Sequence, residues 1–189
     1  HRRLAVDGVV AGQQTDLVKL GLAGNLRDFT FTASDGSVKR GDEVDYNGSP
    51  AGYADQPDEV ITYVDAHDNE TLYDLSVFKL PVSTSMADRV RMNTVELATV
   101  TLSQSPSFWQ AGTELLRSKS LDRNSFNSGD WFNRIDWTGK ESTFGSALPM
   151  AADNQGKWDI MAPLLQNPAL KPKASDIAAA EASALDLLR

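Results

Sequence analysis

Residues 60–74 read VITYVDAHDNETLYD. Val60, Ile61 and Thr62 form a short β-branched run, which predicts a strand over about 60–65. That strand runs straight into an imidazole, a carboxylate and an amide: His67, Asp68 and Asn69. The chain has only 2 His, and one of them is here. Neighbouring side chains on a strand point to opposite faces, so His67 and Asp68 serve one site only if the strand terminates at them.

The composition around this stretch is that of a folded domain. The chain has 189 residues, 41% of them hydrophobic and 23% charged. A globule of this size buries roughly 70% of its unfolded surface, enough for a sizeable core. The net charge of -8 argues against nucleic acid and against an anionic membrane surface as partners. It suits a neutral ligand such as a sugar. With no Cys there are no disulfides and no thiolate metal sites, but both an extracellular and a cytoplasmic location remain open. No apolar run approaches the ~20 residues of a membrane span, and no basic region followed by an apolar one marks a signal peptide. The sequence starts His1-Arg2-Arg3 without Met and stops at Arg189 within a helical pattern. We therefore expect a piece of a longer polypeptide; a trimmed but complete domain is the alternative.

Along the chain, residues 1–30 carry a weak helical pattern through Leu17, Leu20, Leu22 and Leu26. Residues 33–58 are rich in Gly, Pro, Asp and Ser and predict a long irregular loop, with Tyr46 and Tyr53 as aromatic anchors. Residues 86–103 place Val90, Val95, Leu97, Ala98 and Leu102 near helical spacing, and Pro106 stops that helix. Residues 107–112 predict a short aromatic strand, residues 113–147 a second polar loop, and residues 154–166 a short helix. Ser175 is placed to cap a last helix from Asp176 onward. The order strand, polar cluster, helix, strand, polar loop, helix is the α/β rhythm of a parallel sheet with crossover helices. In such folds ligands bind beyond the carboxyl ends of the strands, where both polar stretches fall.

An ionised carboxylate at Asp68 can face developing positive charge, and the His67 imidazole can donate to a hydroxyl. That pairing suits glycoside cleavage, whose transition state resembles an oxocarbenium ion. The bland alternative is that both residues close a turn. The second loop contains RSKSLDRNSFNSGDWFN, residues 117–133. Its Asp122, Arg123, Asn124, Asn127 and Asp130 can supply multidentate hydrogen bonds to a sugar, and Trp131 a flat face for a pyranose ring. Here the alternative is a salt-bridged surface loop with Trp131 and Phe132 packed inside. Trp109 and Trp137 read as core or loop-packing residues, and Glu114 as a group that orients Arg117. A transition-metal site lacks ligands, because no Cys joins the two His. Neither GxSxG nor a nucleophile–base pair is present for an α/β-hydrolase.

ITYVDAHDNETLYD, together with SFWQAGTELLRSKSLDRNSFNSGDWFNRIDW, closely resembles type I pullulanases and limit dextrinases, the debranching enzymes of the α-amylase superfamily. LVKLGLAGNLRDF, DYNGSPAGY and residues 158–188 resemble the same family, so the likeness covers nearly the whole chain. It implies the C-terminal portion of a (β/α)8 TIM barrel, incomplete as given, through roughly the seventh and eighth β/α units of a larger multidomain enzyme. It implies cleavage of α-1,6-glucosidic branch links in pullulan, starch or glycogen limit dextrins by a retaining mechanism. Asp68 matches the carboxylate that stabilises the transition state, and His67 a histidine that hydrogen-bonds the sugar. Asn69, Asp122, Arg123, Asn124, Asn127, Asp130 and Trp131 are carried over as substrate-binding residues; Phe126 stands where the family often has Tyr. The nucleophilic Asp and the general-acid Glu, in motifs shaped like DGFRFD and GEGW, are absent. The chain by itself is therefore expected to be inactive, with α-glucan and the rest of the parent chain as partners. No metal and no other cofactor is implied for these residues; a structural calcium would belong to the parent. A non-catalytic carbohydrate-binding or structural piece is the alternative reading.

Overall fold

The computed structural model describes residues 8–189, with side chains from residue 12. The first seven residues of the expected helical segment, and with them the His1-Arg2-Arg3 start, lie outside the described residues. The chain divides into two compact units, one of residues up to 62 with 99–108, the other of residues 63–98 with 109–189.

The first unit opens with helix α1 (Gly8–Leu22). The segment 33–58, expected to be one irregular loop, instead holds the second strand of one hairpin and the whole of another. Strands β1 (Thr30–Thr32) and β2 (Val38–Arg40) pair antiparallel, with Phe31 opposite Lys39. Strands β3 (Asp45–Tyr46) and β4 (Ser49–Pro50) pair likewise across Asn47-Gly48. Both of those turn residues have positive φ, 54° and 85°. That is the Asn-Gly requirement of a tight primed turn, and it explains why this polar stretch folds back at once. Leu20, Val44 and Ala51 form the buried centre, with Leu17, Phe29 and Phe31 against it. Tyr46 and Tyr53 are exposed rather than anchoring.

The expected β/α alternation leaves a faint trace. Among the described residues the only sheets are these two-stranded antiparallel ones. Parallel pairing survives as two single bridges, Leu26–Ala54 and Thr62–Ser107. At the second bridge the Thr62 amide donates to the Pro106 carbonyl (3.0 Å) and the Phe108 amide to the Thr62 carbonyl (2.8 Å). Residues 60–63 and 108–110 lie outside any longer ladder, the expected second strand turns at Ala111-Gly112, and Ile61 and Phe108 are exposed. β-Branched sequence favours extended backbone, but a strand also needs a ladder partner, and here the ladder is one residue long.

The second unit is helical: α2 (Leu72–Lys79), α3 (Met86–Thr101, up to residue 98 in this unit), α4 (Asp130–Asn133), α5 (Ala151–Asn154), α6 (Trp158–Leu165) and α7 (Ala174–Leu187). Thr71 caps α2, accepting the Asp74 amide at 3.2 Å. Ser85 caps α3 by accepting the Asp88 amide at 3.1 Å. The cap expected at Ser175 lies one turn edge away: α7 starts at Ala174, and the Asp176 carboxylate accepts the Lys173 amide at 2.9 Å. The side chain three residues into the helix reaches back, so the acid rather than the serine closes the end. Tyr73, Val77, Val90, Leu116, Leu121, Phe144, Met161, Leu170 and Ala180 form the main core. Tyr73 closes it with a polar tip, its hydroxyl donating to the Leu170 carbonyl at 2.6 Å. Leu72, Leu97 and Ala184, with Trp109 packed against them, make a second cluster.

Candidate functional site

The backbone bends through residues 67–70, and Asn69 takes φ 62°, the left-handed region that Asn tolerates. The strand pleat therefore ends before it can separate His67 from Asp68. His67 Nε2 lies 3.7 Å from Asp68 Oδ2, and the two side chains are 91% and 74% exposed. Both can meet a ligand from solvent. Asn69 is exposed beside them.

What holds this bend is buried. Lys119 is only 1% exposed, and its ammonium donates to the His67 carbonyl at 3.3 Å and to the Asn69 carbonyl at 2.6 Å. Lysine is almost never this buried without partners. Burial lowers its pKa, while the carboxylates of Asp74 and Asp122 favour its charge. Asp74 is fully buried and organises the loop that carries the lysine. It accepts the Ser118 hydroxyl at 2.6 Å, the Lys119 amide at 2.7 Å and the Leu121 amide at 3.1 Å. Burial pushes the Asp74 carboxyl up to about 6 despite these bonds. The loop is wound tightly: Leu116, Ser120 and Leu121 all have positive φ, 54°, 53° and 65°. Each costs of order 1–3 kcal/mol for a non-glycine residue. In this shape the Lys119 and Leu121 amides both reach the Asp74 carboxylate.

The second loop divides into buried organisers and exposed groups. Asp122 is fully buried, and its carboxylate accepts the Asn124 amide (3.0 Å), the Asn154 side-chain amide (3.0 Å) and the Ser128 hydroxyl (2.6 Å). As placed, it shapes the loop rather than offering itself to a ligand. Arg123 is exposed, with its backbone amide on Asn154 Oδ1 at 3.3 Å. The Asn124 side chain donates to Asp153 at 3.0 Å. Asn127 and Asp130 are exposed. Trp131 is 70% exposed while Phe132 beside it is buried, so the two aromatics expected to share one fate point opposite ways. Lys157 meets Glu70 at 3.1 Å. Residues 67–70, 119–124 and 153–157 are thus knitted together, and His67, Asp68, Asn69, Arg123 and Asn124 sit on the elements so joined.

Three expectations need correction. Glu114 does not orient Arg117; the guanidinium donates to the Ala111 carbonyl (3.1 Å) and the Asn133 carbonyl (3.0 Å), and the charges that favour its protonated form are those of Asp65 and then Asp74. Backbone carbonyls accept from the guanidinium without bringing a second buried charge. Trp137 is exposed rather than packed. Asp122, read as a sugar contact, lies inside, because a short acidic side chain next to backbone amides folds onto them. Asp65, Asp74, Glu96 and Lys119 were not singled out from sequence. Asp65 is buried and accepts the Leu72 amide at 3.2 Å. Burial, and then the neighbouring Asp65, push Glu96 up to about 7. The available signal was Asp74 at the third position of a Thr-capped helix, which reads as an ordinary first-turn acid. Among the described residues no group of three or more His, Cys, Asp or Glu is placed to hold a metal.

Residues 139–189 match the family model described as alpha-1,6-glucosidases, pullulanase-type, C-terminal. Over 147 residues the chain is 50% identical to a pullulanase of Klebsiella aerogenes, which covers 78% of this chain and 13% of that protein. Over 190 residues it is 44% identical to Pullulanase 1, chloroplastic, of Arabidopsis thaliana, covering 100% of this chain and 20% of that protein. The chain thus spans about a fifth or less of the curated relatives it matches. The solved apo pullulanase of Klebsiella pneumoniae superposes with a TM-score of 0.92 at 41% identity, over 99% of this chain and 20% of that one. A structure of the Klebsiella pneumoniae pullulanase complexed with maltotriose superposes equally, with a TM-score of 0.92. On sequence and backbone together, the chain is type I pullulanase-like and corresponds to the C-terminal part of those proteins.

Proposed function

We propose that the chain is part of a debranching glycoside hydrolase that cleaves α-1,6-glucosidic links in pullulan, starch or limit dextrins with retention. The observation that carries this reading is the exposed His67–Asp68 pair on a bend fixed from below by a buried lysine. A retaining glycosidase places a nucleophilic carboxylate and an acid about 5 Å apart across the scissile bond. Asp68 is the third carboxylate: carried on the held bend, it lowers the energy of the cation-like ring as charge develops. His67 donates to a sugar hydroxyl in the same subsite. Arg123, Asn124, Asn127 and Asn69 bind further hydroxyls, and Trp131 offers a ring face. Asp130 belongs to the same rim, and Asp122 acts through the loop it shapes.

The chain belongs, on this reading, to the last β/α units of a (β/α)8 barrel in a larger multidomain enzyme. Support comes from the parallel Thr62–Ser107 bridge, because two parallel strands require a crossover of a dozen or more residues and α3 lies in that interval. The likeness to a pullulanase complexed with maltotriose supports an α-glucan ligand. Lacking the nucleophile and the acid, the isolated 189-residue chain should not turn over. A reducing-sugar assay on pullulan tests both halves. The full-length protein carrying this chain should release new reducing ends and the isolated chain none. A full-length protein that leaves pullulan intact, or an isolated chain that cleaves it, overturns the proposal.

A further inference from the structure

We propose that Lys119 is a positioning residue for Asp68, a backbone clamp that sets the direction of the carboxylate without touching the sugar. The inference rests on the reading that Asp68 stabilises the transition state.

The two carbonyls that Lys119 holds, at 3.3 and 2.6 Å, belong to the residues on either side of Asp68. A peptide unit is planar, so pinning its oxygen orients the whole plane. The His67 carbonyl fixes the plane entering Asp68, and the Asn69 carbonyl fixes the plane leaving Asn69. Between them lie the dihedrals of Asp68 and the left-handed Asn69. Ammonium carries three donors and no acceptor, and it tolerates a range of angles, which suits gathering two carbonyls from one bend.

A role in stability alone does not explain this choice of side chain. A buried ammonium is expensive, and an apolar side chain of the same length serves packing as well or better. Nor does Asp74 need the ammonium, since its three donors are the Ser118 hydroxyl and the amides of Lys119 and Leu121. Removing the ammonium leaves only two carbonyls to be satisfied. Both belong to residues at an exposed bend, so water can reach them once the backbone relaxes. That relaxation is what the clamp prevents. Both hydrogen bonds of the costly group go to the residues flanking Asp68.

Orientation of a group that acts on developing charge affects the transition state more than the ground state. In the full-length protein, Lys119→Met should therefore lower kcat on pullulan by about 10²-fold, the cost of a misplacement of roughly 1 Å. KM and the melting temperature should change little. Lys119→Arg keeps the cation but moves its nitrogens, and should fall in between, by about tenfold. A natively folded Lys119→Met with normal kcat overturns the clamp. So does one whose only defect is a lowered melting temperature, since that is a merely structural role. If Lys119→Met yields no native protein, Lys119→Arg decides: reduced kcat at unchanged KM and melting temperature supports the clamp, and wild-type kcat overturns it. Asp68→Asn measured alongside separates the two claims. If it turns over normally, the catalytic reading fails and the clamp with it; if it is inactive while Lys119→Met is normal, only the clamp fails.

Discussion

The carboxylate of Asp74 and the hydroxyl of Ser118 meet at 2.6 Å across 44 residues of sequence, in a place sealed from solvent. This contact, with the two amides beside it, fastens helix α2 to the left-handed loop that carries Lys119. A carboxylate receiving three donors in the interior is strong while complete and costly once broken.

Removing that acceptor should therefore be severe. Asp74→Ala leaves the Ser118 hydroxyl and the amides of Lys119 and Leu121 without a partner, at about 1–3 kcal/mol per buried unsatisfied group. A total loss of about 3 kcal/mol or more is expected in urea unfolding. Ser118→Ala removes one donor and also the acceptor of the Ser120 amide (2.9 Å), and should cost about 1–2 kcal/mol. Equal, small losses for both variants would show that the loop is held by other means.

Glu96 gives a test of pH dependence with a defined sign. Its folded value is raised to about 7, and that of Asp74 to about 6, chiefly by burial. Between the ordinary carboxylate range and these values the native state binds more protons than the unfolded one. Stability from these groups is thus present in full near pH 4 and lost as pH rises through about 7. Glu96→Gln removes its share of that loss. The melting temperature of Glu96→Gln relative to wild type should rise from pH 5 to about pH 7 and level off by pH 8. A difference that stays constant across this range would contradict the assignment.

Trp131 and Phe132 are neighbours with opposite expected behaviour. Trp131 is mostly exposed, so Trp131→Ala should leave stability within about 0.5 kcal/mol. It should weaken maltotriose binding by about 1 kcal/mol if the indole receives a sugar face. Phe132 is buried, so Phe132→Ala should cost about 3 kcal/mol of stability. Calorimetric titration and thermal melts on the full-length protein distinguish the two effects.

The end of the extended segment was more legible in the sequence than the scaffold beneath it. His67-Asp68-Asn69 after a β-branched run predicted that end, and the chain bends there with both the His67 and Asp68 side chains exposed. The helix expected over 86–103 runs Met86–Thr101, because apolar spacing and a terminating proline are local signals. The sheet was not legible as it stands. β-Propensity at residues 60–65 speaks for extended backbone, whereas a ladder depends on partners far away in sequence. The Asn47-Gly48 hairpin carried a local signal that the polar composition around it masked. Lys119 and Asp74 were invisible for a different reason. In RSKS a lysine reads as solvated, and nothing local says that the chain will wind through three left-handed residues and turn it inward.

The central claim is that Asp68 acts on the reaction and not on the fold. The most direct measurement is kcat on pullulan for Asp68→Asn in the full-length protein, with a thermal melt of the same sample. The side chain is 74% exposed, so the melting temperature should match wild type. Loss of a charge aimed at the transition state should lower kcat by about 10²–10³-fold or more. Turnover close to wild type in a natively folded Asp68→Asn protein would contradict the account.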